Sequence, residues 1–189
     1  MIGVEHTSIF EPEIVVSARE LEELTGIPEK VIIEKFGLIE KRVAYQTMHA
    51  SDLAVNAAKN ILKNVDPKSI DVVIYFGSPY KDYQVWTASS KIQYELETTN
   101  AYAFELMNVS SCFPIALKVA KDMLVSDESI QNILLVGGSK ESGLINYDNP
   151  RSRFMFNFAD GGAAALVTRN ATKSRILGSY IMTDGSFSK

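Results

Sequence analysis

The one cysteine among these 189 residues, Cys112, is the side chain best suited to covalent chemistry. It lies in the run Asn108-Val109-Ser110-Ser111-Cys112-Phe113-Pro114, where a predicted strand ends and a predicted helix begins. A helix N-terminus presents partial positive charge and free N–H groups, which favour thiolate over thiol. A lone cysteine also serves as a small buried hydrophobe, so position alone leaves both roles open. A cysteine nucleophile needs a base or a cationic neighbour. The chain offers two histidines, His6 in an opening strand and His49 in a polar stretch before a helix. Neither has a companion at metal-ligand spacing, so no metal site is expected.

Two glycine-rich stretches are candidates beside the cysteine. Val136-Gly137-Gly138-Ser139 comes at the end of a strand but fits neither a Walker A loop nor a dinucleotide fingerprint. A strand end needing positive φ is the simpler expectation. Asp160-Gly161-Gly162-Ala163-Ala164-Ala165 reads as a hairpin turn, and its small residues also permit another backbone to pass close.

The elements that must position Cys112 can be read from pattern. Ile2 to Phe10 reads as a strand. Ser17 and Glu20 form a capping box for a helix that Gly26 ends. Pro28 opens a second helix and Gly37 closes it. Ser51 to Asn64 is a helix with Leu53, Ala57 and Ile61 on one face. The continuous apolar runs at Asp71 to Gly77 and Gln131 to Gly138 suit strands covered on both faces. Trp86 to Glu97 and Cys112 to Val125 read as helices, and Ala101 to Met107 as a strand. Alternating strands and helices imply βαβ crossovers and a mostly parallel sheet. Arg151 to Phe158, Gly162 to Thr168 and Ser174 to Thr183 read as strands joined by turns, an antiparallel end. The helix after Cys112 is apolar on nearly every side, so a further body is expected to cover it.

Composition sets limits. Hydrophobic residues make up 46% of the chain, enough for a real core. The net charge of -4 gives no reason to expect nucleic-acid binding. No apolar run reaches the roughly 18 residues that span a bilayer, and the start has no signal-peptide pattern. A single cysteine excludes an internal disulfide and suits a reducing compartment, so a cytoplasmic location is expected.

The order of strand, Ser111-Cys112, apolar helix, Leu134-Leu135-Val136-Gly137-Gly138 and Phe158-Ala159-Asp160-Gly161-Gly162-Ala163-Ala164 resembles the N-terminal half of the thiolase superfamily. The branch it resembles is the β-ketoacyl-acyl-carrier-protein synthase III group. Lys35 to Arg42 is similar to that branch's R-T-G-I-x-x-R segment, and Trp86 to Gln93 to its P-S-x-A-x-x-I-Q helix. Phe104-Glu105-Leu106 and Asp184-Gly185-Ser186 resemble further segments, and the likeness covers essentially the whole chain. Phe113 and Pro114 depart from the small residues and glycine that come after the family's cysteine. The loop from Gly77 to Tyr83 lacks the glutamate of the related hydroxymethylglutaryl-CoA synthases.

The resemblance implies an α/β thiolase-like half, with a mixed five-stranded sheet (parallel with an antiparallel end). Helices would cover both faces, and a buried helix would come after Cys112. It implies that Cys112 takes an acyl group from acyl-CoA, with its backbone N–H as one oxyanion donor. Malonyl-acyl carrier protein would then condense with that group. Lys35 and Arg151 would contact the coenzyme A nucleotide. No cofactor is implied beyond the coenzyme A thioester as substrate. A homodimer would form through the strand from Ala101 to Met107. The family's histidine, its asparagine or histidine partner and its second oxyanion donor lie in a second half. Residues 1–189 are therefore expected to be one N-terminal domain, inactive alone. The alternatives are a non-catalytic thiolase-like module that binds an acyl thioester or a partner, and an unrelated doubly wound α/β domain.

Overall fold

Two runs with no polar face dictate the centre of the molecule. In the computed structural model, which describes residues 1–187, Val72–Gly77 and Asn132–Lys140 are neighbouring parallel strands. Val72 to Tyr75 and Ile133 to Val136 are wholly buried, as strands covered on both faces must be.

In chain order the elements are β1 (Gly3–Phe10), β2 (Ile14–Ser17), α1 (Ala18–Thr25), α2 (Glu29–Phe36), β3 (Glu40–Val43) and α3 (Ala50–Leu62). Then come β4 (Val72–Gly77), α4 (Ala88–Glu95), β5 (Tyr102–Met107) and α5 (Cys112–Ser126). β6 (Asn132–Lys140), β7 (Asp160–Thr168) and β8 (Ser174–Arg175) complete the sheet. Its order is β5-β4-β6-β7-β1-β8. β5, β4 and β6 are parallel, while β7 and β1 run antiparallel to their neighbours. The sheet has six strands where five were expected, the sixth being the two-residue β8. No helix among the described residues is long and apolar enough to cross a membrane.

Strand alternation splits the core into two layers. Val73, Tyr75, Leu134 and Val136 face α3 and α4, whereas Val72, Ile74, Ile133 and Leu135 face α5. β4 leads to β5 through α4, and β5 leads back past β4 to β6 through α5. Right-handed crossovers in opposite directions place those helices on opposite faces.

Caps behave as local chemistry requires. Ser17 and Glu20 form the capping box of α1, and Gly26 and Gly37 end α1 and α2 in the left-handed conformation. Gly137 and Gly138 are different. They are not at a positive-φ strand end; they lie within β6. Gly138 pairs across the strands with Gly162 of β7, and α3 lies directly on the pair. A β-carbon at Gly138 would overlap the Ala50 carbonyl oxygen, and one at Gly162 would overlap that of Leu53. The Asp160–Gly162 segment is thus the start of a strand and not a hairpin turn, and its small residues admit the α3 backbone.

Two further expectations are corrected. Residues 151–158 form no strand: a 3-10 turn spans Pro150–Met155, begun by Pro150 and by the Asn149 side chain accepting the Arg151 N–H at 3.0 Å. The strand expected from Ser174 to Thr183 stops at Arg175, which lies opposite Gly3, the first residue of its partner β1. α5 follows Cys112 as expected, and its buried stripe is Cys112, Ala116, Ala120 and Leu124. Phe113, Ile115, Leu117, Val119 and Met123 are half-buried and Val125 is exposed. The pairing of β2 with β3, which makes a small second sheet, went unanticipated.

Candidate functional site

Parallel strands deliver the loops at their carboxyl ends to one edge of the sheet. β4, β5 and β6 run in step, with Phe76 opposite both Leu106 and Gly137. Ser78 comes just after β4, Cys112 after β5, and Ser139 and Glu141 mark the end of β6. β7 runs the other way, so its first residue, Asp160, lies opposite Lys140 at the same edge. Open α/β sheets bind ligands outside the carboxyl ends of such strands. Here a cleft of about 800 Å3 opens there, and Ser78, Cys112, Ser139, Glu141 and Asp160 all line it.

Cys112 reaches the cleft from a strained turn. Asn108 Nδ2 donates to Ser111 Oγ at 2.9 Å, and Val109–Ser111 form a 3-10 turn. Val109 has φ of 44°, a left-handed conformation that a β-branched residue adopts only when its surroundings force it. Cys112 then opens α5 with 8% of its surface exposed. Burial pushes the thiol pKa up, and the Glu141 carboxylate adds to that rise. The N–H groups of Phe113 and Cys112 pull the other way but do not prevail. The helix start therefore acts on the sulfur as expected, yet these residues together hold Cys112 as a thiol. The Cys112 N–H also donates to the Val109 carbonyl across the turn. An oxyanion can use it only as a shared bond, or once that turn opens.

Carboxylates organise the rim. Ser78 Oγ donates to Glu141 Oε1 at 2.6 Å, and Ser139 Oγ donates to Glu141 Oε2. Asp160, 6% exposed, accepts from the Ala44 N–H at 2.8 Å, the Ser142 N–H at 3.1 Å and Ser142 Oγ at 2.7 Å. Behind it, Lys41 of β3 is 4% exposed. Its Nζ donates to Phe156 O at 2.7 Å, Phe158 O at 3.0 Å and Tyr147 Oη at 2.9 Å. These bonds fix the 144–158 segment, which forms one wall of the cleft. They also hold carbonyls that a strand would have used.

Burial pushes the Lys41 ammonium down to about 8, with the Asp160 carboxylate opposing the shift. Between pH 8 and an unfolded value near 10.4 the unfolded chain binds more protons at this site. Stability from Lys41 therefore rises with pH across that window. Lys41→Met leaves three acceptors unpaired and is expected to cost about 1 to 3 kcal/mol at pH 7. In urea unfolding, the gap between wild type and variant should widen from pH 8 towards pH 10. A gap that narrows contradicts this account.

Of the three residues singled out in the sequence, only Cys112 lines the cleft. Lys35 sits in the last turn of α2 and Arg151 in the 150–155 turn, both exposed. His6 is in β1, opposite Leu166, and His49 caps α3 beside the Tyr83 ring, so neither joins Cys112. Among the described residues no group of His, Cys, Asp and Glu side chains could hold a metal ion. Sequence reasoning missed Ser78, Ser139, Glu141 and Lys41. The signal for the first three was present in the parallel runs 71–77 and 131–138, whose ends had to meet beside Cys112. Nothing local marks Lys41, because its partners lie more than 100 residues away.

Residues 104–185 match the family model for 3-oxoacyl-[acyl-carrier-protein] synthase III. The chain is 30% identical over 191 residues to the β-ketoacyl-[acyl-carrier-protein] synthase III of Syntrophomonas wolfei, covering 100% of this chain and 55% of that protein. It is 29% identical over 189 residues to the enzyme of the same description from Caldanaerobacter subterraneus, covering 99% of this chain and 56% of that one. The crystal structure of 3-oxoacyl-[acyl-carrier-protein] synthase III from Aquifex aeolicus superposes with a TM-score of 0.89 at 25% identity, over 100% of this chain and 60% of that one. The chain spans about half the length of the curated relatives it matches. It is 3-oxoacyl-acyl-carrier-protein synthase III-like, with a thiolase-like fold that corresponds to one half.

Proposed function

We propose that this chain, with the fold of half a 3-oxoacyl-acyl-carrier-protein synthase III, is the nucleophile-bearing domain of such a condensing enzyme. One observation carries the reading: a single cysteine stands at the start of α5, on the edge where β4, β5 and β6 end, and lines the cleft there. In the first half-reaction Cys112 Sγ bonds to the carbonyl carbon of an acyl-CoA, and the bond to the coenzyme A sulfur breaks. Coenzyme A leaves with the thiol proton. A malonyl group on acyl carrier protein then loses carbon dioxide, and its α-carbon bonds to the acyl carbon. The bond to Sγ breaks, and the departing Cys112 thiolate takes up a proton from water to become the resting thiol again. Thioester exchange is nearly balanced in energy, so the acyl group can be passed on. The reaction belongs to cytoplasmic fatty acid or polyketide-like synthesis.

Because these residues hold Cys112 as a thiol, an activating base must come from outside them. We assign it to a second half of similar fold, which would also cover the half-buried side of α5. The 189 residues alone are therefore expected to be inactive. Lys35 and Arg151 are proposed to meet the nucleotide of coenzyme A. The buried, protonated thiol also favours one other reading, a non-catalytic module that binds an acyl thioester or a partner.

Incubating the full protein with acyl-CoA thioesters from acetyl to dodecanoyl distinguishes the two. Peptide mapping should find one acyl group on Cys112, released by hydroxylamine. Binding without any covalent acyl group would favour the module. The homodimer is proposed through β5, an apolar edge strand that pairs only with β4 among the described residues. Such an edge is an aggregation hazard unless covered. A clean monomer in size-exclusion chromatography at micromolar concentration would count against it.

A further inference from the structure

We infer that Glu141 is a positioning residue of the Cys112 site: its carboxylate ties the exits of β4 and β6 together at the rim and sets a fixed negative charge in the cleft with the thiol. The inference rests on the reading of Cys112 as a nucleophile. Each carboxylate oxygen accepts from a serine on a different strand exit, Oε1 from Ser78 and Oε2 from Ser139. Both oxygens are thus held by hydroxyl donors, one at each strand exit. Among the described residues no lysine or arginine makes an ion pair with it. The adjacent Lys140 points away, donating to the carbonyl oxygens of Tyr45 at 3.2 Å and Gln46 at 2.8 Å. The charge is thus held in place without a counter-ion.

The surrounding groups do not cancel it. From β7, Asp160 is a second carboxylate of the same cleft, occupied by Ala44 and Ser142. From β4, the buried Tyr75 hydroxyl donates to Gly138 O at 3.2 Å, and burial, with the nearby carboxylates, keeps it protonated. Tyr80 lines the cleft from the loop after β4. From α5 only the N–H groups of Cys112 and Phe113 favour the thiolate. Glu141 therefore adds to the burial that keeps the resting thiol protonated, so that reactivity waits for the activating group.

Alkylation by iodoacetamide tests this in the full protein. The rate on the Cys112 peptide is tracked by mass spectrometry from pH 6 to 10. Glu141→Gln removes the charge at nearly constant shape. The midpoint of the rate curve should fall by roughly half to one pH unit, raising the rate at pH 7 about threefold to tenfold. An unchanged midpoint overturns the inference. Should Glu141→Gln not fold, the double variant Ser78→Ala, Ser139→Ala frees the carboxylate to turn towards solvent. The midpoint should fall there too, and a constant midpoint again overturns the inference. Iodoacetamide reports the thiol whatever its substrate. An unmoved midpoint with intact acyl-CoA labelling defeats this inference alone. A moved midpoint without acyl labelling defeats the proposed function alone.

Discussion

Cys112→Ala is expected to abolish acyl-enzyme formation and to lower turnover of the full protein about a thousandfold or more, roughly 4 kcal/mol of transition-state stabilisation. The size reflects the chemistry. Without Sγ there is no covalent intermediate, and the two half-reactions lose the group that links them. The loss should appear in kcat at saturating acyl-CoA, because the cleft walls that bind substrate remain. Cys112 is packed among the Phe76 and Ala116 side of the core, and removing one buried sulfur should cost about 1 kcal/mol of stability. Cys112→Ser serves as a near-isosteric control and should be almost as inactive, since a hydroxyl is a far weaker nucleophile near neutral pH. Normal turnover by the alanine variant would remove Cys112 from the mechanism.

Gly138→Val should have the largest effect on folding. The new β-carbon would overlap the Ala50 carbonyl oxygen of α3, a backbone atom that cannot rotate away. Either α3 lifts from β6 and β7 or β6 bends. Both would open the layer that contains Ala54, Tyr75, Val136 and Ala164. Overpacking against backbone is expected to cost about 3 kcal/mol or more, read as a fall in the urea midpoint. The neighbouring Gly137→Ala meets the Phe76 ring, a side chain that can shift, and should cost less. Gly178→Ala meets nothing within 4 Å and should stay within about 0.5 kcal/mol of wild type. If Gly138→Val matches Gly178→Ala, the seat of α3 is misassigned.

These glycines show where reading by sequence stopped. Gly26 and Gly37 were legible because a helix stop depends on its own residue's φ. Gly138 carries the same letter for another reason, the approach of α3 from a distant part of the chain; at Gly162 the sequence allowed a close backbone approach without saying which backbone. The 151–158 segment was misread in the same way. Its apolar and aromatic residues suit a strand, but Pro150, Asn149 and the buried Lys41 take the backbone groups that a strand would need.

Residue pattern by itself determined the capped helices α1 and α2, the buried strands β4 and β6, and the placing of Cys112 between β5 and α5. Each depends on neighbours within a turn or two, where capping, φ preference and periodicity act. Tertiary structure alone decided the rest. Strand register brought Ser78, Ser139, Glu141 and Asp160 to the cysteine, and Lys41 to the carbonyls of Phe156 and Phe158. Burial and a nearby carboxylate then reversed the direction in which the helix start alone would have moved the thiol. Desolvation and charge act through space, so they belong to the packed arrangement and not to any stretch of sequence.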